Sequence, residues 1–441
     1  MAAFLRLSFV VALAAALLAC RLDSAPAPRR LVLITLDTLR LDTLMGTSER
    51  PSAMPRTKAW ADAHLRFNRC FSAASATQPT HAALFTGLPP WLTGVTRNGL
   101  VLDAAHDTLA ERLHAAHWST SAVVSAIPVT SRFGFAQGFD RYTETFDLGA
   151  RESWAGHALG PHSHFYTLSR NAVESALAAL DAADGDKQFF WFHFFDVHAP
   201  YGDAAGQKPV LEGMIEQEAQ RNRRRPDALL GRAHDLYDAD ARVLDRQLAR
   251  LLARLEERRH ATTIVLTADH GESFGEDGSF GHGRDVSEVL NHVPCILSGV
   301  GVAPGIRTDV AGSTDLFATL LASAGITPPV GPGRDLLATS TSTGVVGMRP
   351  TVAEQRDVMR ADGSMEHVDY DRFFLVQPDG TFLRSRGLEL DPPVEIDPVA
   401  RTAALARFRA AAEALAARGS SKAGDLSAET KAQLRALGYV E

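Results

Sequence analysis

At 441 residues, 45% hydrophobic and 22% charged, the chain can bury a large core and has the make-up of an ordinary globular protein rather than a disordered one. A formal net charge of -7 gives no overall pull toward nucleic acid, so an anionic substrate must be met by local donors or by a metal. The three cysteines form no zinc-type cluster, which excludes a cysteine-based zinc module.

In chain order, Arg6 precedes the apolar run LSFVVALAAALLA (7–19), which stops at Cys20. That run is too short to span a bilayer and reads as an export signal. Its tail, Leu17-Leu18-Ala19-Cys20, resembles a bacterial lipobox, in which the cysteine is lipidated and becomes the mature N-terminus. Leu18 departs from the small residue usual there, so plain secretion or an uncleaved anchor are the alternatives. The expected address is exported, periplasmic or cell-surface, with a membrane lipid anchor through Cys20. The Pro/Ala-rich, polar segment RLDSAPAPRR (21–30) reads as a tether.

From residue 31 to 330, the β-rich runs LVLITL, TSAVVSA, QFFWFHFF, TTIVLTA and VPCILS alternate with helical stretches at 108–117, 168–183 and 235–258. This is the pattern of an α/β protein with a mostly parallel central sheet sandwiched by helices. In the last stretch Leu236, Val243, Leu244, Leu248, Leu251 and Leu255 fall on one helical face. LVLITL runs into Asp37 and TTIVLTA into Asp269-His270; in open α/β sheets ligands bind beyond the carboxyl ends of strands, so the two ends are expected to converge on one crevice. The polar segment 202–235, with its RNRRRPD, reads as a solvated insertion or mobile lid in preference to an anion-binding patch. Cys70 and Cys295 lie in apolar, strand-like FNRCF and VPCIL and read as buried thiols, although an exported protein could pair them. Beyond Pro328 the texture changes. RFFLVQPDGTFLRS reads as a hairpin turning at Pro378-Asp379-Gly380, followed by a helix from Pro398 to Arg418. Residues 331–441 are expected to form a small C-terminal α+β subdomain closing one side of the sheet.

The chemistry centres on ATQPTHAALFTG (76–87), where Thr77 stands just before a helix expected to start near Pro79. A nucleophile there meets unpaired backbone donors and the positive end of the helix dipole, both suited to phosphate or sulfate. An ordinary N-cap is the alternative. Asp37, Asp269, His270 and a deprotonated Thr77 hydroxyl make a sensible four-ligand set for zinc or manganese.

LVLITLDTLR, TQPTHAALFTG and LTADHGESFGEDGSFGHGRD, followed by VPCILSGVG and the terminal LRALGYV, together resemble the sulfatase-like branch of the alkaline phosphatase superfamily. The resemblance covers roughly residues 30–330. It implies that fold, a metal-centred site, and transfer of a sulfuryl or phosphoryl group through a covalent enzyme intermediate. Sulfatases proper carry Cys or Ser in a Cys/Ser-x-Pro-x-Arg motif and oxidise it to formylglycine, whereas Thr77 occupies that position here and His81 stands in place of the Arg. The second Asp of calcium-binding sulfatases is Thr38, and the late pair is AspHis rather than AspAsn. An imidazole suits zinc or manganese better than calcium. These departures point to the relatives that use an unmodified Thr: phosphodiesterases, phosphonate hydrolases and phosphoethanolamine transferases.

The same resemblance makes Asn98, in GVTRNG, a donor to a substrate oxygen, against an ordinary Asn-Gly turn. It makes His198, in FFDVHAPY, and His282, in FGHGRD, catalytic donors, with His81 as a substrate contact. Asp196 could help His198 build a second metal site, but Pro200 occupies the position of the histidine found in two-zinc relatives, so one metal is expected and a second is open. The substrate is expected to be a small phosphate or sulfate ester, with phosphoester hydrolysis favoured. The alternatives are a sulfuric ester hydrolase working without formylglycine, or an envelope transferase of the phosphoethanolamine or phosphoglycerol type. A non-enzymatic scaffold would have no need of four convergent ligands.

Overall fold

The computed structural model describes residues 29–146, 166–222, 224–338, 341–349, 356–360, 362, 364–368, 371–391 and 396–418. The export signal, Cys20, most of the tether and the terminal LRALGYV lie outside the described residues.

Arg30–Leu36 (β1), Leu65–Phe67 (β2), Ser119–Val124 (β3), Arg141–Glu144 (β4), Gln188–Phe194 (β5), Thr262–Ala268 (β6), Cys295–Ser298 (β7) and Gly305–Arg307 (β8) form one eight-stranded sheet in the order β8-β2-β7-β6-β1-β5-β3-β4. β1, β5 and β6 are buried along their whole length, as unbroken apolar strands must be when helices flank a parallel sheet. β6, β1, β5, β3 and β4 run parallel; β7 is antiparallel to both of its neighbours, β6 and β2. The register sets Leu36 opposite both Phe194 and Ala268. The three central strands therefore end level, and Asp37, Phe195 and Asp269 emerge side by side along one edge.

Helices Thr77–Thr86 (α1), Leu109–Ala115 (α2), Ser169–Asp181 (α3), Glu212–Asn222 (α4), Asp227–Glu256 (α5) and Ser313–Ser323 (α6) flank the sheet. α2 starts on a capping box: Glu111 N donates to Thr108 Oγ1 at 3.1 Å and Thr108 N to Glu111 Oε2 at 2.8 Å. α5 buries the expected leucines, with Val243 half-buried at the edge of that face, but begins at Asp227, because Leu230 and Ala233 continue its buried face into the segment taken as an insertion. The rest of that segment differs too: α4 turns Glu212, Ile215 and Ala219 inward at helical spacing, so it is packed helix where a solvated loop was expected. Cys70 and Cys295 are buried free thiols.

Val345–Met348 (β9), Phe373–Val376 (β10), Phe382–Arg386 (β11) and Glu389–Leu390 (β12) form the antiparallel sheet of the C-terminal subdomain, covered by Pro398–Arg418 (α7). Its β10–β11 turn uses Gly380 at φ +93°, a conformation glycine adopts without steric cost. Phe373, Leu375, Leu383 and Phe408 make a separate small core into which Trp91 of the larger part inserts. Leu336, just past the expected boundary, still packs in the main core. A short antiparallel pair, Arg356–Met359 with Met365–Val368, was not evident in the sequence.

Candidate active site

The turn after β1 is tight: Thr38 has φ +56°, a strained region for a β-branched residue. It is held from two sides. Thr38 N donates to Asp269 Oδ1 at 3.1 Å, and the Tyr237 hydroxyl of α5 donates to Thr38 O at 2.8 Å while accepting from Arg40 N at 2.9 Å. Asp37 is thereby fixed beside Asp269. After β6, Asp269 Oδ1 also accepts from His270 N at 2.8 Å, which leaves Oδ2 facing the crevice. His270 Nδ1 lies 2.9 Å from Gly271 O; only an N–H can make that contact, so Nε2 presents its lone pair.

α1 starts at Thr77 itself, two residues earlier than expected, with Ala76 as its N-cap and no side-chain cap. The N-cap alternative therefore falls, since the Thr77 hydroxyl is not used on the helix but stands 3.4 Å from His270 Nε2. Around that nitrogen, Asp269 Oδ2 lies at 3.6 Å and Asp37 Oδ1 at 3.9 Å. Two ligands about 2.1 Å from a tetrahedral ion stand about 3.4 Å apart, so these separations suit one small cation. Asp37 Oδ1 and Oδ2 and Asp269 Oδ2 are buried with no hydrogen-bond partner, a costly state that a cation would relieve. Burial pushes the Asp37 carboxyl up to about 7 against the opposing pull of His270. Asp269 is raised by burial and then by Asp37. Burial pulls the His270 imidazole down, but Asp269 and Asp37 together outweigh it and raise it. The residues present fit a divalent ion.

Asn98 is buried, and its Oδ1 accepts from Gln78 N at 2.9 Å at the start of α1. His198 Nδ1 donates to Ala199 O at 2.8 Å, with its ring stacked on Phe195. His282 lies with its ring centroid 4.6 Å from His270 and 4.8 Å from His198. His81 sits one turn inside α1, its Nδ1 2.8 Å from Thr77 O and 3.8 Å from Asp269 Oδ2 and its Nε2 3.1 Å from Thr35 Oγ1. Asp196 is occupied elsewhere, accepting from Ser169 N at 2.8 Å at the start of α3, so it forms no metal site with His198.

Three further residues went unread. His193, whose Nε2 is 3.4 Å from Asp37 Oδ2, is a polar residue near the end of an otherwise apolar buried strand, a signal available in QFFWFHFF. Glu272, whose Oε1 is 3.1 Å from His282 Nδ1, directly follows AspHisGly. Glu212, 3.9 Å from the same nitrogen, lies in the polar segment and carries no pattern.

A family model described as Sulfatase matches residues 29–326. A choline-sulfatase of Rhizobium meliloti (strain 1021) is 23% identical over 325 residues, 62% of this chain, and the chain spans 63% of that relative's length. Among solved structures, the phosphonate monoester hydrolase SpPMH from Silicibacter pomeroyi has a TM-score of 0.62 at 19% identity, over 86% of this chain and 94% of that one. BT1596, a 2-O GAG sulfatase, has a TM-score of 0.64 at 16% identity, over 89% and 92%. At such identities the structural likeness is one of fold. The family match runs from the start of β1 past the end of α6, across every strand end that frames the crevice, and the chain belongs to the sulfatase family.

Proposed function

We propose that this chain is a metal-dependent ester hydrolase that passes a phosphoryl group, or less readily a sulfuryl group, through a covalent intermediate on Thr77. The observation that carries this reading is the uncapped Thr77 hydroxyl, 3.4 Å from His270 Nε2 and beside buried carboxylate oxygens that have no partner. Asp37, Thr77, Asp269 and His270 would hold one divalent ion, and an imidazole in the set favours zinc or manganese over calcium. When bound, the ion supplies Lewis acidity that lowers the pKa of the hydroxyl and offsets charge on a non-bridging oxygen.

Thr77 Oγ1 attacks in line as the bond to the leaving oxygen breaks. The Thr77 N–H, which opens α1, and the Asn98 amide would meet the oxygens that gain charge. His282 and His198, whose imidazoles burial holds well below their usual range, would donate N–H hydrogen bonds to the departing and equatorial oxygens, and water then cleaves phospho-Thr77. His81 would prop the turn that carries Thr77, through its contact with the Thr77 carbonyl. The preference for phosphate follows from Thr77: oxidation of a secondary alcohol gives a ketone, never the aldehyde of formylglycine. The choline-sulfatase relative supports sulfuric ester hydrolysis as the second reading, and an acceptor alcohol in place of water would make the same site a transferase. The run ending at Cys20 supports an exported, lipid-anchored enzyme of the cell envelope; an unmodified Cys20 on mass spectrometry of the mature N-terminus would rule out the anchor.

The test is turnover by the purified ectodomain of nitrophenyl phosphate, bis-nitrophenyl phosphate and nitrophenyl sulfate, after chelation and return of zinc, manganese or calcium. Phosphoester turnover with zinc or manganese is expected. A preference for the sulfate would select the second reading, and no turnover of any ester with any metal would refute the enzymatic one.

A further inference from the structure

We infer that Glu212, Glu272 and His282 form a second divalent-cation site beside the first. Their ligand atoms all lie within 4.8 Å of one another. His282 Nδ1 is 3.1 Å from Glu272 Oε1 and 3.9 Å from Glu212 Oε1, on either side of the roughly 3.4 Å expected between ligands of one tetrahedral ion. Glu272 is wholly buried, and Glu212 and His282 are each 5% exposed. Glu212 Oε1 is nevertheless without a hydrogen-bond partner, while its other oxygen accepts from Arg284 at 3.2 Å. Arg284 also pairs with Glu216 at 2.7 Å, so its single charge is divided between two carboxylates. Buried carboxylates set this close need further compensation, which a cation would supply.

The backbone makes room for this cluster. Gly281 has φ +69°, where a side chain would be strained, and a Cβ there would meet the Glu212 carboxylate at 2.7–2.8 Å and push it from its present place. One imidazole and two carboxylates repeat the donor types of the first site and leave a fourth position open, a set that suits zinc or manganese. A cation on Nδ1 would leave the proton on Nε2, turning His282 into a fixed N–H donor next to His270 and His198. Binding at this site does not depend on which ester the enzyme cleaves.

The experiment is metal stoichiometry of the full chain, stripped with chelator, reloaded with Mn2+, dialysed and analysed by plasma mass spectrometry. Two ions per chain are expected, falling to one in E212Q/E272Q and to one in D37N/D269N. A wild type that holds a single ion, or an E212Q/E272Q variant that keeps two, overturns the proposal. Loss of both ions in D37N/D269N overturns it as an independent site. A D37N/D269N variant that keeps two ions would instead refute the first site and leave this one standing. Should the glutamate variant fail to fold, wild-type Mn2+ spin resonance decides. Adjacent ions give a spectrum broadened by their coupling, and an isolated six-line signal at two equivalents would exclude the pairing.

Discussion

Two buried groups of acids and imidazoles lie side by side at the edge of the sheet, and they are assembled in different ways. Asp37, Asp269 and His270 follow directly on strands whose ladder is in register from Arg30 to Leu36, and Thr77 opens a helix buried along its whole length. Their mutual positions are set by the backbone of the fold. Glu212 arrives instead on α4, where its carboxylate accepts from Arg284 and lies against the bare Cα of Gly281. A cluster made by strand register lasts as long as the sheet does, whereas one completed by a docked helix can be lost while the sheet remains.

The largest effect is expected at the first cluster. Thr77→Ala should lower kcat by at least about a thousandfold while the fold is kept; near-normal turnover would break the comparison by removing the nucleophile from the register-built site. His193→Ala takes away a ring that touches Asp37 from behind, and metal affinity should fall about 10–100-fold; equilibrium dialysis against a metal indicator reads this. Acidity should act through the same carboxylate. In the metal-free protein burial holds Asp37 at about 7, so ion uptake must release its proton. Affinity should weaken by about tenfold for each unit below pH 7 and level off above it; affinity unchanged between pH 5.5 and 8 would contradict this. The smallest effect is expected at the second cluster. Gly281→Ala should cost about 1–3 kcal/mol of stability through overpacking, read by urea unfolding, while one bound ion remains. Loss of all metal in that variant would show that the two clusters are a single unit.

Much of this was legible in the linear chain. LVLITL and TTIVLTA announce strands by composition and length, and the acids that follow them meet because parallel strands of equal reach end level. The surroundings of His81 were not legible for a local reason. With α1 starting at Thr77 rather than Pro79, His81 falls four residues on, where its ring bonds the Thr77 carbonyl and lies 3.8 Å from Asp269 Oδ2. Asp196 has the residue type of a ligand but is drawn off by the start of α3. Glu212 could not be read, because what brings it inward is the docking of α4 through Ile215 and Ala219, a tertiary event with no short-range mark in a stretch dominated by Arg, Glu and Gln.

The reversed direction of β7 has a further consequence. Since Cys295 pairs with Thr267 at the carboxyl end of β6, the chain leaves the sheet after Ala268 and returns to the same edge, and residues 269–294 form a closed excursion with both feet on adjacent strands. That one excursion carries Asp269, His270, Glu272 and His282, and near its far side Asp285 takes Arg360 and Arg372 of the C-terminal subdomain at 3.0 Å each and accepts from Ser75, two residues before Thr77, at 2.7 Å. Half of the proposed first site, and two of the three residues of the second, thus ride on one excursion. The C-terminal subdomain, far away in sequence, grips it at two neighbouring residues: the Asp285 carboxylate, and Val286, which packs against Phe374 and Val376 and whose carbonyl accepts from Arg384 at 3.3 Å.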